Sequence, residues 1–258
     1  MNYFFSVKNN YLKCNLTIPR FRNSESTNED FILFSAEIFK DKWLIKEADH
    51  SKNENFFFLQ DHQLDNSKFL FLAKNKDLNR NNYFSELKDF NTFTDTMPDF
   101  RANMQIEILD HGFSSYQSDY PFYLCKKTGN VLSPISTLLN KNSDKNIIFF
   151  KNIFVQPIKK KFNIYFVDVV CKKVLHEVSA FTNQTNEIDV NPELISPNVY
   201  IFSEKFVGIP IYVSIKNNHI SMEHTHPLHL YIWGEDKFRK VSEIKSEIYE
   251  IIKKNSQQ

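Results

Sequence analysis

Apolar residues recur along this chain in short runs, several of them alternating with polar residues, and Asn-rich polar stretches interrupt the runs at close intervals. An amphipathic helix needs apolar positions three and four apart, whereas alternation with a period of two fits a strand with one wet face. The segment Asn103-Met104-Gln105-Ile106-Glu107-Ile108 shows the second pattern without a break. Comparable runs lie at 3–7, 11–18, 31–39, 43–47, 56–59 and 69–73, and again at 120–125, 147–155, 162–170, 173–181, 199–203 and 209–216. With 26 Phe and 11 Tyr but only 4 Gly, the side chains favour pleated, half-buried strands. A mostly β, antiparallel, sandwich or jelly-roll-like fold is therefore expected.

A chain of 258 residues can hold two small cores. Between 77 and 99 the sequence turns charged and Asn-rich, and Pro98 disfavours helix at Met97. This predicts two sandwich domains, 1–95 and 96–258. Two helices are expected in the second. Ser133-Pro134 reads as a cap and first-turn proline for a short helix to about Asn140. Near the end, Phe238, Val241, Ile244, Ile248, Ile251 and Ile252 recur at helical spacing, with Asp236 as N-cap and Lys253 and Lys254 at the favourable end of the dipole. The stretch 6–19 also lies over 214–227 without a gap, and both read as hairpins turning at Asn-Asn, at Asn9-Asn10 and Asn217-Asn218.

The formal net charge of +1 supplies no field to attract nucleic acid or an anionic membrane, and no apolar run approaches a membrane span. The opening residues lack the pattern of a secretion signal. Cys14, Cys125 and Cys171 are isolated from one another in sequence, as in reducing compartments, so a cytoplasmic location is expected.

Two segments carry most of the candidate chemistry. Four of the 8 His residues fall in 219–229. On a regular strand Ile220, Met222, His224 and His226 share one face, and two imidazoles two positions apart can bind one metal ion. The candidate ligands are His224, His226, His229 and Glu223, with a divalent metal as the implied cofactor; His229 joins only if Pro227 resets the alternation. His224-Thr225-His226-Pro227, followed by Leu230-Tyr231-Ile232 and Gly234-Glu235, resembles the first metal motif of the cupin family over 224–235. It departs from that motif in having no Glu at the expected ligand position. It is also followed by a helical pattern where the barrel needs further strands.

The second segment, 110–123, is dense in polar and aromatic groups. His111, Ser114, Ser115, Tyr116, Gln117, Asp119 and Tyr120 could line a pocket that hydrogen-bonds and stacks on a polyhydroxylated ligand. Ser, His and Asp are all available here, but no G-x-S-x-G elbow or Gly-rich phosphate loop occurs. The expected function is a binding or interaction protein that engages a glycan or a protein partner. The alternative is a metal-dependent protein or enzyme built on the His-rich segment.

Overall fold

The structure, a computed structural model, describes residues 2–20, 31–74, 82–87, 101–108, 112–224 and 234–256. Strands are numbered in chain order, and every pairing among the described residues is antiparallel. Sheet I runs β11 (Asp119–Pro121), β1 (Asn2–Phe4), β7 (Phe69–Lys74), β3 (Phe31–Phe39), β4 (Lys42–Glu47) and β8 (Tyr83–Phe84). Sheet II runs β10 (Phe113–Gln117), β9 (Asn103–Ile108), β2 (Leu12–Pro19), β6 (Phe56–Leu59) and β5 (Ser51–Lys52). Sheet III runs β16 (Thr185–Asp189), β13 (Lys145–Lys151), β18 (Ile209–Lys216) and β19 (His219–His224). Sheet IV runs β12 (Val131–Pro134), β17 (Val199–Ser203), β14 (Lys161–Asp168) and β15 (Lys173–Phe181).

The mostly β, antiparallel expectation holds, but the sheets follow one another as blades, a propeller-like arrangement rather than a pair of sandwiches. The reason lies in strands that are apolar on both faces. From β13, Ile147 and Phe149 enter a large core shared with sheets I and II, while Ile148 and Phe150 enter a second core between sheets III and IV. In β18, Ile211 and Val213 face the first core and Tyr212 the second. In β14, Ile164 and Phe166 face the second core, while Tyr165 and Val167 face a third. Strands buried on both faces read as unbroken apolar runs such as Ile147-Ile148-Phe149-Phe150, and a two-sheet sandwich has no place for them. After residue 95 the chain still supplies the first two sheets: β9 pairs with β2, and β11 pairs with β1.

A polar seam joins sheet III to the turn before β7. Lys151, fully buried, donates from Nζ to the carbonyls of Asn66 (3.2 Å) and Lys68 (3.0 Å). Thr185 N donates to the Asn66 carbonyl (2.8 Å), and Thr185 Oγ1 to that of Ser6 (3.0 Å). Asn66 Nδ2 in turn donates to the Lys8 carbonyl at 2.7 Å. Each of these polar atoms thereby has a hydrogen-bond partner, although the two carbonyls do not offset the cost of burying the Lys151 ammonium.

The third core is closed by a C-terminal helix. Counting the single turn Phe122–Cys125 as α1, this helix is α2 (Lys237–Asn255). Its Ile248, Ile251 and Ile252 pack on Leu132, Tyr165, Val167 and Phe202. Asp236 is the N-cap residue but makes no side-chain cap bond; it pairs instead with Arg239 (3.0 Å) and Lys240 (3.2 Å). Phe238 drops out of the predicted stripe, being 63% exposed. Ile248 is 0% exposed, so Ile248→Ala should cost about 2–4 kcal/mol in urea unfolding. A cost near zero would mean that the stripe does not hold the helix.

Three local expectations are corrected. After Ser133-Pro134 there is a single turn, closed by Leu139 N to the Ile135 carbonyl at 2.9 Å, and no helix. The Ser133 hydroxyl engages Tyr212 Oη (2.5 Å) and the Pro134 carbonyl (3.0 Å) instead of capping. The run 120–125 divides into the end of β11 and α1. The match of 6–19 to 214–227 is not structural: Asn217 and Asn218 make the expected positive-φ turn between β18 and β19, but β1 and β2 lie in different sheets. There Asn9 Oδ1 accepts instead from the backbone of Tyr11 and Leu12.

Candidate functional site

The two segments singled out in the sequence meet at the boundary of sheets II and III. Their hairpins touch through the backbone, Gly112 N donating to the Asn218 carbonyl at 3.3 Å. A Cβ on Gly112 would lie 2.9 Å from that oxygen, so the approach requires glycine. In β19 the alternation is as expected: Met222 is buried and Ile220 and His224 are half-buried, while Ser221 and Glu223 are exposed. The hydroxyl of Tyr116, from β10, lies within hydrogen-bonding range of both ring nitrogens of His224 and 2.6 Å from Nε2. The rings sit 4.4 Å apart, centroid to centroid. Tyr116 also packs against the first core, so the pair joins two sheet edges at its rim.

Glu223 points away from His224, because adjacent strand residues face opposite sides. It therefore does not join that imidazole around one ion. His226 and His229 lie outside the described residues, as does His111. Among the described residues no group of three His, Cys, Asp or Glu side chains is placed to hold a metal.

The other predicted ligand-binding residues are divided among three environments. Ser114 and Tyr116 stand opposite the buried Ile106 and Met104 and face inward; Ser115 and Gln117 stand opposite Gln105 and Asn103 and face outward. Tyr120 is fully buried, its hydroxyl donating to the Val207 carbonyl at 3.3 Å, which takes it out of a solvent-facing loop. Burial holds its phenol well above the usual range.

Asp119 is likewise a core residue, 9% exposed. One carboxylate oxygen accepts from Asn2 Nδ2 at 3.4 Å, and Oδ2 is buried without a hydrogen-bond partner among the described residues. Burial pushes the carboxyl up to about 7, with Arg101, Asn2 and the Ala102 amide pulling the other way. These groups brace β1 against β11 and do not present a surface.

One accessible polar surface among the described residues is the outer face of sheet II. Its strands bring Ser51, Phe58, Thr17, Asn103 and Gln117 into one rung across the sheet. A second rung holds Asn15, Gln105 and Ser115, and a third Lys13, Glu107 and Phe113. All eleven side chains are half-buried or exposed, with Phe113 at 65%. Glu107 Oε1 accepts from Gln105 Nε2 (2.7 Å) and Asn15 Nδ2 (3.3 Å), which orients both amides. Over the β5, β6 and β2 side of this face lies a groove of about 640 Å³, lined by Lys13, Asn15, Thr17, Phe58, His62 and, from β9, Glu107 among others. Its wall is the 3₁₀ turn Asp61–Gln63. There Asp61 pairs with Lys8 (3.2 Å) and accepts from Cys14 N (2.9 Å).

Of this face, sequence reasoning singled out only Ser115 and Gln117. Its signal was the polar half of two alternating strands, Lys13-Asn15-Thr17 and Asn103-Gln105-Glu107. Four of its eleven side chains are amides, against one lysine and one glutamate. No family model matches the chain, and no curated protein or solved structure shows a significant similarity to it.

Proposed function

We propose that the chain is a binding protein that engages a glycan through the outer face of sheet II. The observation that carries this reading is the set of in-register rungs, in which half-exposed Phe58 stands between Ser51 and Thr17, with the amides of Asn103 and Gln117 further along the row. Amides and hydroxyls both donate and accept, as sugar hydroxyls do, and an aromatic face can pack on the apolar side of a pyranose ring. The Asn15–Glu107–Gln105 network holds its side chains in place before a ligand arrives, which lowers the entropic cost of binding. The Tyr116–His224 contact supports the same assignment indirectly: it fixes β10, the edge strand of this face, to sheet III.

The test is a glycan-array screen of the intact chain, followed by calorimetry on the strongest hit. Phe58→Ala should weaken binding about fivefold, by loss of an aromatic contact of about 1 kcal/mol. Lys40→Ala, in the turn between β3 and β4 of sheet I, should leave it unchanged. If no glycan binds, and a purified protein partner instead loses affinity with Phe58→Ala, the face recognises protein and the glycan reading falls.

A further inference from the structure

The shape and charge of the sheet II face go beyond the identity of the site to the form of its ligand. Resting on the glycan reading, we infer that the ligand is a neutral, extended oligosaccharide longer than a disaccharide, laid across the strands along the Phe58 rung.

Five consecutive strands contribute one outward residue each to this rung, in the order Ser51, Phe58, Thr17, Asn103 and Gln117. Four inter-strand steps of about 4.8 Å give a row of about 19 Å. Along a strand the face is shorter. The outward residues of β2 are Lys13, Asn15 and Thr17, covering about 13 Å at two residues per step. The floor is therefore longest across the strands, and it exceeds a disaccharide in that direction.

The groove is bounded on one side by the Asp61–Gln63 turn. Toward β10 the face ends in exposed Ser115 and Phe113 on an edge strand. Nothing among the described residues of that edge closes the row into a pocket for a single sugar.

No arginine lines the groove; Arg101, which donates to Gln117 at the β10 end of the row, also acts on the Asp119 carboxyl, and the lysine of the groove, Lys13, stands in the same rung as Glu107. The carboxylate of Asp61 is already paired with Lys8, whereas that of Glu107 is held by two amides, which leave its negative charge in place. Recognition of sulfate or uronate groups calls for convergent cations, and a fixed carboxylate repels them. Uncharged hydroxyls suit the amides of Asn15, Asn103 and Gln105.

The experiment is calorimetry of the full chain with neutral homo-oligosaccharides of glucose, mannose, galactose, xylose and N-acetylglucosamine, each from two to six units. A sulfated oligosaccharide series serves as the anionic arm. Affinity should rise roughly tenfold from the disaccharide to the tetrasaccharide of the preferred sugar and then level off. Asn103→Ala, an exposed change two strands away from Phe58, should remove several-fold of the tetrasaccharide affinity and leave disaccharide binding unchanged. A merely structural effect would weaken both alike. Equal binding of the disaccharide and the hexasaccharide, or tighter binding of the sulfated series, would overturn this inference and leave the glycan reading standing. Failure of every saccharide to bind would remove both.

Discussion

Lys151→Met is expected to flatten the dependence of stability on pH above neutrality, with the parent chain gaining on the variant by roughly 5 kcal/mol between pH 7 and 10.5. The ammonium of Lys151 is fully enclosed, and burial pulls its pKa from 10.5 down to about 7, with only the charge of Asp65 acting in the opposite sense. In the unfolded chain the amine keeps its proton up to about 10.5; in the folded protein it gives it up near 7. Between those values the unfolded state binds more protons, so stability rises with pH. Below 7 the full cost of burying the charge is present in the parent and absent from the variant. Urea unfolding of both proteins at pH 7, 8.5 and 10 measures the gap, since groups common to both cancel. Parallel curves would show that the amine is solvated through some opening of the seam.

Asp119→Asn should shift stability in the opposite sense and in a different window. The Asp119 carboxyl is raised from 3.8 to about 7, chiefly by burial. The folded state therefore holds a proton that the unfolded state has released, and the stability of the parent falls as pH rises from about 4 to 7. The variant, which does not titrate, should gain on the parent by roughly 4 kcal/mol over that range. The two effects place the least favourable pH for these buried groups near neutrality. If the Asp119→Asn variant instead tracks the parent across pH 4–7, Arg101 neutralises the carboxylate more fully than its burial opposes it.

Both groups illustrate what local reading of a sequence misses. Lys151 ends a strand whose preceding residues are apolar, and nothing adjacent to it announces that its amine is enclosed by the turn at Asn66 and Lys68. Asp119 stands among polar neighbours and reads as loop, yet β11 inserts it beside β1. Tyr116 and His224, 108 positions apart, meet only because sheets II and III abut at β10 and β19. The alternation of β19 was legible, since it depends on strand geometry alone; the partner of His224 was not.

What the amino-acid order determined by itself is whatever depends on neighbours along the chain. This includes the strand character of most apolar runs, the antiparallel class, the Asn217-Asn218 turn and the isoleucine stripe of α2, because φ/ψ preference and side-chain periodicity act over a few residues. Tertiary structure alone decided that the sheets follow one another as blades, with β13, β14 and β18 buried on both faces. It also decided that Tyr120 and Asp119 belong to a core, and that polar residues from five strands line up as the rungs of sheet II. These depend on which distant strands pair and in what register. Many pairings satisfy the same local pattern, and only the joint burial of the apolar faces selects among them.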